Sequence, residues 1–93
     1  MTLRILDCAA VDSREGLHRQ LKELLSLPDY YGCNLDGLAD CLSELEGPVC
    51  LVLEHAPALE VALGEYARRF LQVLSRCAEE NRRFTFSLTG EEA

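Results

Sequence analysis

Hydrophobic and polar positions change period several times along the chain, and each change marks an element. Thr2 to Cys8, with Leu3, Ile5 and Cys8, is a short apolar opening that predicts a first strand. Ser13 sits two residues ahead of Glu15 and opens a helical pattern. Leu17, Leu21, Leu24 and Leu25 fall at i, i+4, i+7 and i+8, while Arg14, Arg19, Lys22 and Glu23 take the other faces. Pro28 is expected to close this helix, because the residue before a proline avoids helical geometry. Asp29 to Cys33 reads as a loop with Tyr30, Tyr31 and Gly32. Asn34 is a good N-cap for a second helix, with apolar positions Leu35, Leu38, Leu42 and Leu45, and Gly47-Pro48 ends it in a turn.

Val49 to Glu54 is dense in β-branched and aliphatic residues and predicts a buried central strand. Pro57 and Gly64 bracket a short, weakly patterned helix. A longer helix follows from Glu65 to Glu80, with Tyr66, Phe70, Val73, Leu74 and Cys77 on one stripe. Phe84 to Leu88 alternates with period two as a third strand. Strand, two helices, strand, two helices, strand requires crossover connections, which produce parallel pairing with helices packed on the sheet. The expected fold is a small α/β domain over residues 1–93: a three-stranded parallel sheet packed with about four helices.

Composition narrows the class. Apolar residues make up 48% and charged ones 27%, which excludes a disordered chain. The longest apolar run, Val49 to Leu53, is far short of the ~20 residues a membrane span needs. Asp7 interrupts the apolar opening, so no secretory signal fits the N-terminus and the expected compartment is the cytoplasm. The five cysteines, at 8, 33, 41, 50 and 77, contain no Cys-x-x-Cys, and His18 and His55 are not spaced as zinc ligands. We therefore expect no metal and no cofactor. The cysteines read as small hydrophobes, with Cys8 and Cys33 the more exposed by position.

Charge then points to a partner. Sixteen acids against nine bases give −7, unevenly spread: from Glu23 to Glu65 there are nine carboxylates and no Lys or Arg. A single-sign field over half a small domain argues against nucleic acid and anionic membrane, and favours a cationic partner recruited by electrostatic steering.

The most informative stretch runs from Leu27 to Cys41. Asp36 and Asp40 project side by side at i, i+4, and such like charges destabilise a helix by ~0.2–0.5 kcal/mol. Gly37 between them weakens it by up to ~1 kcal/mol relative to Ala. Stability alone does not select this segment. A solvated acidic face would account for the carboxylates by themselves, but Tyr30 and Tyr31 beside Gly32 are too large a pair for a solvent-facing turn. One is expected in the core and the other exposed as an interface anchor.

The run Leu17-His18, Leu27-Pro-Asp-Tyr-Tyr-Gly, Asn34-Leu-Asp-Gly-Leu and Asp40-Cys-Leu42 resembles the barstar family, intracellular inhibitors of barnase-type ribonucleases. The likeness continues through Pro48 to Glu54, Leu71-Gln-Val73 and the last strand. It implies a mechanism without catalysis: loop and second helix plug the nuclease's cationic active site, one to one, and exclude RNA. Carried over by position, Tyr30 contacts the nuclease's catalytic groups. Asp36 and Asp40 pair with its arginines and histidine, Asp40 standing in for a substrate phosphate. Gly32, Asn34 and Ser43 belong to the rim or make backbone contacts, and Glu80 forms a peripheral charge pair. Carboxylates suit this role, being the closest mimic of phosphate for a bidentate arginine. Two positions depart from the family pattern: Ala39 stands where an aromatic is common, and Arg76 where an acid contributes at the interface edge.

Two other readings stay in view. An enzyme could hold Mg²⁺ on Asp36 and Asp40, or use a cysteine with His18 or His55 as base, but no phosphate-binding glycine motif accompanies them. A barstar-like acidic module could instead bind another basic protein without inhibiting a nuclease. The free chain is expected to be a monomer, since its acidic face would repel itself across a two-fold axis.

Overall fold

A computed structural model of the chain describes residues 2–45 and 47–90; Glu46, one of the nine carboxylates counted above, lies outside them. Strand β1 (Thr2–Asp7) leads through a 3-10 turn (Cys8–Ala10) to helix α1 (Arg14–Leu25). A loop brings the chain to α2 (Leu35–Ser43), then β2 (Val49–Glu54), α3 (Ala56–Leu63), α4 (Glu65–Glu80) and β3 (Phe84–Leu88). The strands form one parallel sheet with β2 in the middle, Leu6 opposite Leu53 and Leu53 opposite Leu88. The sequence-based expectation of a three-stranded parallel sheet with four helices is met.

Period-two alternation decides which half of the sheet is core. Leu6, Leu51, Leu53 and Phe84 point to one face and are fully buried beneath α1 and α4, with Leu17, Leu21, Phe70 and Leu74 filling the layer between. The opposite face carries Leu3 at 58% and Ile5 at 46% exposure, with Cys50 and Val52 half-buried. The expected buried central strand is β2, with Leu51 and Leu53 fully enclosed and its other residues half-buried. Only alternate residues are enclosed, because α1 and α4 pack against a single face.

Two boundaries also differ from expectation. Cys8 leaves the strand because the Asp7 carboxylate accepts from the Ala9 N–H at 3.0 Å and opens the 3-10 turn. Helix α1 stops at Leu25, ahead of Pro28: Ser26 adopts the left-handed conformation (φ 53°, ψ 47°), and the Ser26 and Leu27 amides both turn back to the Lys22 carbonyl. Ser13 caps the other end, its hydroxyl accepting from the Gly16 N–H at 3.0 Å.

Helix α2 packs chiefly against α4. The two run side by side in the same direction. Arg69, early in α4, shares a groove with Asn34, Leu35 and Asp36, while the Asn81 amide beyond the far end donates to the Leu42 carbonyl at 2.8 Å. The second helix thus stands at the flank of the fold, with one face free.

Candidate protein-binding site

Leu38, Cys41 and Leu42 are buried and hold α2 against the body of the protein. The remaining face turns Asp36, Asp40 and Ser43 outward, all exposed, and Glu44 at the end of the helix extends the acidic stripe. Asp36 lies in the first turn, where the helix dipole favours a carboxylate; Glu44 sits at the opposite end, where the dipole disfavours one. Glu44 was missed in the sequence reading, although Asp36, Asp40 and Glu44 recur every fourth residue and the spacing was there to be seen.

Asn34 does two jobs at the head of this helix. Its Oδ1 accepts from the Gly37 N–H at 2.6 Å, which caps α2, and its Nδ2 donates to the Gly32 carbonyl at 3.2 Å, which pins the loop to the cap. Gly37 now has a structural reason. A Cβ there would lie 3.2 Å from Asn34 Oδ1, 3.5 Å from the Gly32 nitrogen and 3.6 Å from the Tyr31 ring. The glycine that weakens the helix is what lets the loop close on it. Gly32 is under the same pressure, since its Cβ would fall 3.0 Å from Asn34 Nδ2. Between them Cys33 holds φ at 55°, a left-handed backbone that disfavours a side chain.

The two tyrosines separate as expected. Tyr31 is buried at 5% exposure and Tyr30 stands out at 77%. Tyr31 reaches inward to Nδ1 of His18, whose Nε2 meets the Tyr66 hydroxyl of α4 at 2.6 Å. A neutral imidazole has one donor and one acceptor, so one tyrosine accepts from the ring while the other donates to it. This chain of side chains joins α1, the loop and α4 around a histidine that is 1% exposed, and burial holds its pKa below the usual imidazole value. The guanidinium of Arg14 lies 4.5 Å from the Tyr66 ring centre, closing the outer end. Tyr30, freed from core duty, crosses toward the end of α2, and its hydroxyl donates to Glu44 Oε1 at 3.4 Å. The Glu44 charge raises its pKa, so the phenol stays protonated.

The other expected site residues fall into two groups. Ser43 is exposed, but its hydroxyl donates to the Asp40 carbonyl at 2.7 Å within the helix. Ala39 is half-buried against the core, so its methyl offers little to a partner. Arg76 and Glu80 are exposed on α4, the neighbouring helix. The cysteines divide differently from expectation: Cys33 is exposed, whereas Cys8 is fully buried and its thiol pKa is pushed up to about 11. Cys41 and Cys77 are also buried, and burial raises both. His18 has both ring nitrogens engaged by tyrosines, which removes it as the free base an enzyme reading needs.

An acidic stripe thus lies on a braced helix, beside an aromatic held outside the core, on a small α/β domain. Residues 1–90 match the family described as Barstar (barnase inhibitor). The chain is also 42% identical over 77 residues to a Bacillus subtilis (strain 168) protein named "Putative ribonuclease inhibitor YrdF", covering 82% of this chain and 85% of that one. The chain belongs to the barstar family.

Proposed function

We propose that this protein inhibits a barnase-type ribonuclease by occluding its active site, one to one and in the cytoplasm. Asp36 and Asp40 pair with the nuclease's arginines and histidine, Asp40 standing in for a substrate phosphate, and Tyr30 covers the catalytic groups beside them. The observation that carries the reading is the pairing of opposites in one loop: Tyr31 is buried to hold the loop, Tyr30 is 77% exposed beside an acidic helix, and Asn34 locks the two elements together. The family match and the ribonuclease-inhibitor name of the Bacillus relative support the nuclease as target.

No bond is made or broken. Inhibition follows from charge and shape: a basic cleft built for a polyanion accepts fixed carboxylates that cannot be cleaved. Gly32, Asn34 and Ser43 lie around this stripe as its rim, and Glu80 farther out on α4. The test is RNA cleavage by a barnase-type ribonuclease titrated with wild type and with Asp40→Ala. A sharp one-to-one endpoint that the variant lacks supports the reading. Binding that leaves cleavage untouched would instead make this an acidic module for another basic protein.

A further inference from the structure

We infer that the docking surface is two-signed, and that its partner carries carboxylates beside the cationic cleft where the flank of α4 lands. This rests on the inhibitory reading above and specifies which nucleases fit it.

Only nine basic residues occur in the chain, and Arg14, Arg69 and Arg76 gather along one side of the acidic helix. Arg69 and Arg14 line an open groove of about 520 Å³ together with Glu15, Asn34, Asp36 and Tyr66. Arg76 follows Arg69 by seven residues, two turns along the same face of α4, and α4 runs in the same direction as α2. The result is a row of arginines beside the acidic stripe of Asp36 and Asp40, with Glu15 next to Arg14, Glu65 one turn before Arg69 and Glu80 one turn after Arg76. All three arginines are exposed, and none forms an ion pair with a carboxylate among the described residues, where the pairs are Lys22–Asp29 and Arg68–Glu60. Their charges are available to a partner.

The row is also partly fixed in place. Arg14 rests on the Tyr66 ring, and the Tyr66 hydroxyl is held by His18, so the guanidinium is positioned before any partner arrives. A uniformly basic nuclease face would meet repulsion along this row. A face with acids bordering its cleft would be matched on both halves, and a mismatched charge at such a rim is an effective means of rejecting wrong partners.

The test is the double charge reversal R69E/R76E, measured by association and dissociation kinetics against a barnase-type ribonuclease that wild type inhibits. Asp40→Ala runs alongside. Both reversals lie on an exposed helix surface, and Arg and Glu have similar helix propensity; each new Glu sits four residues from Glu65 or Glu80, a small penalty, and circular dichroism of the variant checks that the fold is kept. The reversal makes the net charge more negative by four units. If steering by net charge were all that mattered, capture of a basic enzyme would become faster and tighter. The two-signed surface requires the opposite: affinity falls roughly ten-fold or more as contacts with partner acids turn repulsive, chiefly through faster dissociation. Unchanged or improved binding of R69E/R76E, with Asp40→Ala still defective, overturns the two-signed surface and leaves the inhibitory reading standing. Full inhibition by Asp40→Ala, or none by wild type against any barnase-type ribonuclease, removes both.

Discussion

His18 Nε2 and the Tyr66 hydroxyl meet at 2.6 Å across 48 positions of chain, and on the other side of the same ring Nδ1 holds Tyr31. One imidazole therefore fixes the loop that presents Tyr30 and the helix that supports α2. Replacing it with glutamine leaves the buried Tyr31 hydroxyl without its partner, at about 1–3 kcal/mol. Denaturant unfolding of His18→Gln should show that loss, and the Tyr30 loop should exchange its amides faster.

The same histidine makes stability depend on pH. Its folded pKa lies below the usual 6.5, so on acidification the unfolded chain takes up a proton that the folded chain resists. Its contribution is complete above the unfolded value and is lost as pH falls through 6.5 toward the folded pKa. Wild type should unfold at lower denaturant as pH is lowered through this window. His18→Gln should give a flatter profile there, and an unchanged slope in the variant would assign the effect to another group.

Gly37→Ala should invert the usual rule. In a free helix the change is worth about 0.5–1 kcal/mol of added stability. Here the new methyl sits 3.2 Å from the capping oxygen of Asn34, and the cap has to give way. The expected outcome is a lower unfolding midpoint together with weaker inhibition, because the loop and the helix separate at their joint.

Cys33→Gly should act in the other direction. The position holds φ at 55° with its side chain exposed, so removing the side chain relieves backbone strain without opening a cavity. A gain of up to ~1 kcal/mol is expected from thermal or chemical unfolding. A loss would show that the thiol makes a stabilising contact.

Asp40→Ala should weaken nuclease binding most among the surface positions, by more than ~2 kcal/mol, or at least ~30-fold, with Tyr30→Ala and Asp36→Ala next. Glu44→Ala should have a smaller effect that depends on Tyr30, since the two share a hydrogen bond. Wild-type affinity should fall as salt rises from about 50 to 500 mM, because screening weakens separated charges. Calorimetry or surface binding at several ionic strengths checks both points.

Most of the fold was legible because the apolar periods are clean: Leu17 and Leu21 mark α1, Leu38 and Leu42 mark α2, and Leu51 and Leu53 mark the central strand. What was missed depends on local backbone or distant pairing. Ser26 ends α1 through a left-handed turn that no apolar period announces. Cys8 is buried rather than exposed, two residues after the buried Leu6 in the 3-10 turn that Asp7 opens. At the site, size and polarity predicted that one of the two tyrosines is buried and the other exposed; that Tyr30 is the exposed one was implied by the resemblance. The link from Arg14 through Tyr66 and His18 to Tyr31 needs the third dimension, since its members lie in three separate segments. Gly37 looked like a concession to binding in the sequence; in the structure it is first a matter of space.

Helix α2 has nine residues, with a glycine in its first turn and Asp36, Asp40 and Glu44 repelling along one side. Helices of this length do not persist alone in water. A synthetic peptide spanning Leu27 to Leu45 would collapse to an ensemble with no fixed spacing between its carboxylates. Attempts to miniaturise the protein, or to graft the segment onto another scaffold, must therefore carry over Asn34, His18 and the α4 wall as well. The spacing of the three carboxylates is a property of the whole architecture that carries them.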